Sequence, residues 1–484
     1  MQKSLAKNVL YKITLNIFNV ILPIIVGPYA YRTLKPESMG MVNSAETIFN
    51  YFFIFAVFGI YQYGLRETSL IKDDMKKVSR LFTSLFTIGL ITSLLSLVAF
   101  LTFSYIGYGQ DARFYVLVIF GFNFIANIFY VEWLNEAFEN YDFITMKTIV
   151  VRLIYVVLLF TLVHSSHDYK QFTALLVIST FLNHSISFVY IKRKIKFDFS
   201  AITIIPHLKP LLLVVIFSNA NILYTQLDRF LIDKYLGDKY VSFFVMGFQI
   251  MTIINTVIVS VIQVTIPRLS HLSGNEDERV YEALLNKISK LYFIILFPAT
   301  IGMFLVADIG VVVYGGKDYT AAGSVLAVFA FYMATLGIES ILANQIIYVK
   351  KKENVLVKLL FIGGFTNLAL NILLIKFNLL TPESSILSTT IANILLIILQ
   401  YAFIKKTLKV NYTLFDIEKL KYLLYSLPFI PISYVIRLYI TNTIALFLSI
   451  VGVCSLAYFL ILFIRKDEIL FMVIDRLKLK FQKH

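Results

Sequence analysis

Charged residues are sparse in this sequence, and those that interrupt long apolar runs are where chemistry is to be sought first. Glu46, Asp308 and Glu339 are isolated carboxylates within or beside such runs. Burial away from water makes a carboxyl hold its proton more tightly, which suits it to a coupling proton or sodium ion. The plainer role is a satisfied structural acid. Asp228-Arg229 follows Asn219, Asn221 and Gln226 in another apolar run. On a helix, Asn221, Thr225 and Asp228 share one face, a candidate substrate-binding stripe with Arg229 beside it. The alternative is a pair of charges wetted at the lipid headgroup level.

Basic residues supply a second chemistry. Arg66 and Arg268 each close an apolar run at corresponding places in the two halves of the chain. Guanidinium groups bind phosphate bidentately, so this pair is a candidate fork for a diphosphate; ordinary anchoring at the membrane edge is the competing role. Arg32, with Lys35, closes the first run after Pro23, Gly27 and Pro28. Two prolines so close predict a broken or bent helix with freed carbonyls, tolerated in a membrane where it lines a cavity. Glu132 and Glu136 lie one helical turn apart and repel each other unless a cation intervenes, with Lys147 and Arg152 as candidates. This predicts a salt-bridge network, with Glu132 and Arg152 also candidates for a gate.

Several chemistries are absent. The six histidines form no H-x-x-E-H or H-x-H pattern, and His164 and His167 flank a short loop. The lone Cys454 cannot form an internal disulfide or a multi-thiolate site. No G-x-x-x-x-G-K-[ST] occurs and no loop has room for a nucleotide-binding domain, so no cofactor, metal or ATP-driven step is expected.

The elements that position these residues are membrane helices. Of 484 residues, 58% are hydrophobic and only 15% charged, against roughly 25% charged in soluble domains. Apolar runs fall at 9–31, 41–64, 81–105, 114–133, 146–163, 172–191, 210–232, 241–265, 286–310, 321–348, 355–375, 384–404, 421–439 and 443–464. Each suits one span of about 20 residues, which predicts an all-α integral membrane protein of fourteen helices. The first run is too long for a signal-peptide core and reads as a retained helix. With a cytoplasmic N-terminus, 34 of the 44 Lys and Arg residues fall on the inner side. That asymmetry supports both the count and two cytoplasmic termini, and it accounts for most of the net charge of +15 without nucleic acid. The tail from Arg465 to Lys480 reads as a short amphipathic helix lying against anionic lipid.

A faint repeat links Tyr61–Arg66 with Gln263–Arg268, each followed by a charged stretch. An even number of helices per half makes the repeat parallel. The expected plan is a six-helix lobe over 1–200, a second over 201–410, and two further helices with a tail over 411–484, the lobes flanking a central cavity.

The stretch Trp133-Leu134-Asn135-Glu136-Ala137-Phe138-Glu139-Asn140-Tyr141-Asp142-Phe143, followed by Lys147 and Arg152, resembles the polysaccharide flippases. So do Met39-Gly40 leading to Asn50-Tyr51-Phe52-Phe53, and Tyr61-Gln62-Tyr63-Gly64-Leu65-Arg66. With Asn219-Ala220-Asn221 and Leu227-Asp228-Arg229, the resemblance is closest to the teichoic acid flippase branch of Gram-positive bacteria, within the multidrug/oligosaccharidyl-lipid/polysaccharide exporter superfamily. It implies alternating access in the cytoplasmic membrane and the movement of undecaprenyl-diphosphate-linked teichoic acid or capsule-type polysaccharide repeats to the outer leaflet for cell wall biogenesis. Membrane lipids and a coupling proton or sodium ion are the other implied partners. A cation-coupled multidrug antiporter of the same superfamily is the first alternative, expected to show twelve helices and an acidic cavity. A membrane glycan polymerase or ligase is the second; it needs a catalytic cluster on a sizeable outer loop, and the outer loops here are short.

Overall fold

Lipid offers the backbone no hydrogen-bond partners, so each apolar run must satisfy its own amides and becomes a helix. The computed structural model describes residues 5–274 and 278–481; the side chains of residues 216–225 and a few others lie outside the described set. The protein is all-helical, with no strand among the described residues.

The chain divides into two compact units, Met1–Ser242 and Phe243–His484. The first contains α1 (Leu5–Val57), α2 (Ile60–Ile71), α3 (Met75–Tyr108), α4 (Arg113–Ile128), α5 (Glu132–Ala137), α6 (Tyr141–Leu162), α7 (Tyr169–Lys192) and α8 (Ile205–Leu236), and ends within the start of α9 (Asp238–Gly274). The second holds the rest of α9, then α10 (Glu278–Leu305), α11 (Ala307–Gly315), α12 (Gly323–Ser340), α13 (Glu353–Lys376) and α14 (Pro382–Phe403). It closes with α15 (Ile417–Ser426), α16 (Phe429–Tyr439), α17 (Thr443–Ile464) and the tail helix α18 (Glu468–Phe481). Among the described residues, eleven helical stretches are long and apolar enough to cross a membrane. The first of them, Lys7–Ile71, carries two of the expected runs. With α8 and the α15–α16 pair added, the arrangement is consistent with fourteen.

Three local expectations are corrected. The helix does not break at Pro23 or Pro28. The interruption inside α1 is at Lys35, with φ 62 and ψ 169. Lys35 precedes Pro36, whose ring disfavours the helical conformation in the residue before it. The fourth run stops at Ile128, and Glu132 begins the separate short α5. The ninth run ends at Leu305, which places Asp308 in α11 rather than in the long helix.

In the first unit, α1 packs against α3, α4, α6 and α8, and α4 against α7. Phe49 of α1 stacks on Phe120 at 5.5 Å and meets Phe124 edge-on at 5.3 Å, the offset and T-shaped geometries that ring quadrupoles favour. Gly40 accepts the backbone of Asp238, since a Cβ there would sit 1.9 Å from the Asp238 carbonyl oxygen. At the same corner, the partly buried Arg113 donates to Asp233 at 2.7 Å and to Asp238 at 2.8 Å. Asp74 caps α3: the amide and ammonium of Lys77 hold its carboxyl below the usual carboxylate range.

In the second unit, α14 packs between α12 and α13. The α13–α14 seam is fastened by neutral polar groups: Asn371 Nδ2 donates to Ser388 Oγ at 3.0 Å, Ser388 Oγ to Asn367 Oδ1 at 2.9 Å, and Ser385 Oγ to Asn371 Oδ1 at 3.1 Å. Such bonds join helices where lipid supplies no hydrophobic drive for association.

Candidate functional site

Three helices of the first unit each carry a polar pair one turn apart: Glu46 and Asn50 on α1, Asn123 and Asn127 on α4, Thr180 and His184 on α7. Residues four apart share a helix face. The three faces converge on a cavity of about 640 Å3, with Tyr61 and Gln62 of α2 and Tyr130 completing the polar wall and Phe49, Phe53 and Phe120 the apolar one. That volume lies in the range of small-molecule sites, roughly 300–1,000 Å3.

The wall groups are fixed to different degrees. Asn127 Nδ2 donates to Ser93 Oγ at 3.0 Å and to the Ala56 carbonyl at 3.3 Å. His184 Nδ1 lies 3.1 Å from the Ala126 carbonyl. A carbonyl only accepts, so Nδ1 carries the hydrogen, and Nε2 is the acceptor when the ring is neutral. Tyr130 packs on that ring at 4.9 Å. Asn123 is 7% exposed, and its Oδ1 is a buried acceptor with no hydrogen-bond partner among the described residues.

Beneath the cavity, two of the motif-bearing stretches meet. Gly64 lies against the Trp133 ring, where a Cβ would approach within 2.7 Å, and Tyr61 Oη donates to Glu136 Oε1 at 3.0 Å. Lys147 of α6 binds Glu132 at 3.1 Å, Ser187 Oγ at 2.7 Å and the Asn183 carbonyl at 3.3 Å. One buried ammonium thus ties α5, α6 and α7 together. Arg152 takes no part in this knot and donates instead to Asn19 Oδ1.

The other residues singled out by the sequence occupy varied settings. Asp228 is 2% exposed and not wetted; its charge acts on Tyr51 of α1. Its neighbour Arg229 interacts electrostatically with Glu46, so the α8 dipeptide reaches α1 at two points. Asn219, Asn221 and Thr225 lie outside the described side chains. Arg32 is exposed on α1 just before the Lys35 interruption. Arg66 is exposed, paired with Glu67 at 2.9 Å and lying over the Tyr63 ring at 5.5 Å. In the second unit, Arg268 lines a cavity of about 460 Å3 with His271 and Lys287. Asp308 receives both Arg437 amino groups, at 2.7 and 2.8 Å. Glu339 accepts from Gln400 Nε2 at 2.9 Å.

The model of a family described as polysaccharide biosynthesis protein matches residues 5–273. A putative O-antigen transporter of Shigella dysenteriae is 22% identical over 369 residues, covering 75% of this chain and 91% of that protein. A putative O-antigen transporter of Escherichia coli (strain K12) is 23% identical over 165 residues, 34% of this chain and 40% of its own length. Among solved structures, the lipid II flippase MurJ in an inward closed conformation superposes with a TM-score of 0.73 at 18% identity, covering 95% of this chain and 99% of that one. An inward-facing multidrug resistance MATE family transporter of the MOP superfamily gives 0.61 at 12% identity, covering 82% and 96%. The fold is therefore that of a multi-pass membrane transporter, and these relatives are transporters or flippases rather than enzymes.

Proposed function

We propose that this chain, which belongs to the polysaccharide biosynthesis protein family, is a flippase for lipid-linked saccharides. It moves undecaprenyl-diphosphate-linked polysaccharide or teichoic acid repeat units from the inner to the outer leaflet of the cytoplasmic membrane by alternating access. Two six-helix lobes and two trailing helices perform the cycle, with both termini in the cytoplasm.

The observation that carries the reading is a membrane bundle of this family with a cavity walled by amides and aromatic rings. Its relatives' names, O-antigen transporter and lipid II flippase, point the same way. A diphosphate leaving water without cationic partners is prohibitively costly, so arginines must meet it. Arg66 and Arg268, one in each unit, are assigned that role, with Arg32 as an entry contact. Asn221, Asp228 and Arg229 form the α8 part of the substrate site. For a coupling proton or sodium ion, Glu46 and Glu339 are the better placed acids. Glu132 and Asp308 are already engaged by Lys147 and Arg437, and fit gating or fastening better.

Reconstitution tests the reading. The protein in liposomes is expected to expose a fluorescent undecaprenyl-diphosphate disaccharide to an external reductant at a rate well above empty vesicles. Expulsion of lipophilic cations with no movement of the lipid-linked sugar overturns it in favour of the multidrug antiporter. Asp228→Asn is expected to slow translocation about tenfold, equivalent to roughly 1.4 kcal/mol; an unchanged rate removes Asp228 from the substrate site. A tag after His484 is expected to be protected from external protease in intact cells, and its cleavage there would invert the topology.

A further inference from the structure

A lipid-linked glycan presents two unlike chemistries: a diphosphate with several negative charges, and sugar rings that are hydroxyl-rich on their edges and apolar on their faces. The cavity of the first unit is built for only one of them. Its single formally charged wall residue among those described is Glu46, a carboxylate. His184 spends its Nδ1 hydrogen on the Ala126 carbonyl. A phosphate entering this space meets no lysine or arginine among the described wall residues, so its charge goes uncompensated there.

The same wall matches a sugar ring. Ring hydroxyls both donate and accept, and Asn50, Gln62 and Asn123 bring amides to the cavity. Asn123 Oδ1 is the sharpest signal: an acceptor on a side chain more than nine-tenths buried, with no donor among the described residues. A buried acceptor is costly until a donor reaches it. His184 Nε2 adds a second acceptor when the ring is neutral, since Nδ1 carries the hydrogen given to Ala126. Tyr61 and Tyr130, centroids 6.3 Å apart and inclined at 38°, offer flat faces for the apolar side of a ring.

We propose that this cavity is a neutral- and amino-sugar subsite, in which Asn123 accepts from a ring hydroxyl, Tyr61 or Tyr130 underlies the ring, and Glu46 disfavours sugars carrying a carboxylate. It rests on the flippase reading and assigns the sugar end of the cargo to the first unit. The diphosphate is left to the arginines outside this cavity.

Saturation-transfer NMR on the full chain in lipid nanodiscs tests it, with millimolar N-acetylglucosamine, glucosamine and glucuronate as probes. The two non-acidic sugars are expected to give signals at least fivefold stronger than glucuronate. Asn123→Leu is expected to remove them, and Glu46→Gln to raise glucuronate relative to N-acetylglucosamine. If Asn123→Leu fails to insert, Asn123→Ala carries the same test with a good helix former. Equal signals from all three sugars, no signal from any, or wild-type signals in the Asn123 variants overturn the subsite. Lipid-linked transport without sugar contact overturns the subsite alone. Sugar contact without transport keeps the subsite and overturns the flippase reading. An undecaprenyl-diphosphate disaccharide competing with free N-acetylglucosamine identifies the carrier-linked glycan as the ligand; failure to compete shows a free-saccharide site and overturns its place in flipping.

Discussion

Alanine at both Arg66 and Arg268 is expected to lower translocation of an undecaprenyl-diphosphate-linked sugar by about a hundredfold, with each single change costing about tenfold. A hydrogen bond to a charged group contributes roughly 1.5–3 kcal/mol. Both arginines are exposed, so the low end applies, and two such contacts give the hundredfold figure at about 1.4 kcal/mol per decade. Exposure also makes the experiment clean, because surface substitutions usually shift stability by no more than about 0.5 kcal/mol. The protein should therefore insert and purify as before. Lysine at both positions keeps the charge and loses the planar fork, so an intermediate rate is expected. Glu67 holds Arg66 at 2.9 Å in the resting arrangement. Glu67→Gln is accordingly expected to leave transport intact or raise it, by freeing the guanidinium for phosphate. Translocation by the double alanine variant within twofold of the unmodified protein would remove the diphosphate role from these residues.

The bundle was legible in the sequence because lipid constrains it so strongly: a run of about 20 apolar residues has few alternatives to a helix. Interruptions were legible only where a residue announces them. The one at Lys35 precedes Pro36, whereas the backbone stays helical through Pro23 and Pro28. The gap between α4 and α5, at Phe129–Val131, contains no glycine or proline and gave no signal. The cavity was written as three i, i+4 polar pairs on apolar helices, a pattern that becomes meaningful once α1, α4 and α7 are known to converge. Side-chain partners were legible at short range, as with Glu132 and Lys147, fifteen residues apart. They were not at long range: Asp308 and Arg437 are separated by 129 positions and Tyr61 and Glu136 by 75. No local rule joins such pairs, since the fold alone brings them together.

The Lys147 knot makes the second large prediction, because it combines deep burial with an ion pair. The Lys147 side chain is 3% exposed and Glu132 16%. Removing one member of a buried pair leaves the other charge without compensation, at a cost of about 3–5 kcal/mol. Ser187 Oγ still donates to Glu132 at 2.6 Å, which softens the loss, so about 3 kcal/mol is expected for Lys147→Met. The measurement is thermal inactivation in detergent, where the midpoint should fall by several degrees. Adding Glu132→Gln should recover much of that loss, because a neutral, hydrogen-bonded pair no longer strands a charge. The double variant then separates two roles. If the knot only fastens α5, α6 and α7 beneath the cavity, a restored midpoint brings restored transport. If it opens and closes during the cycle, the double variant is stable yet slow, because the two charges that must part and rejoin are gone. A Lys147→Met protein as stable as the unmodified one would contradict both, since it would mean that the ammonium holds nothing together.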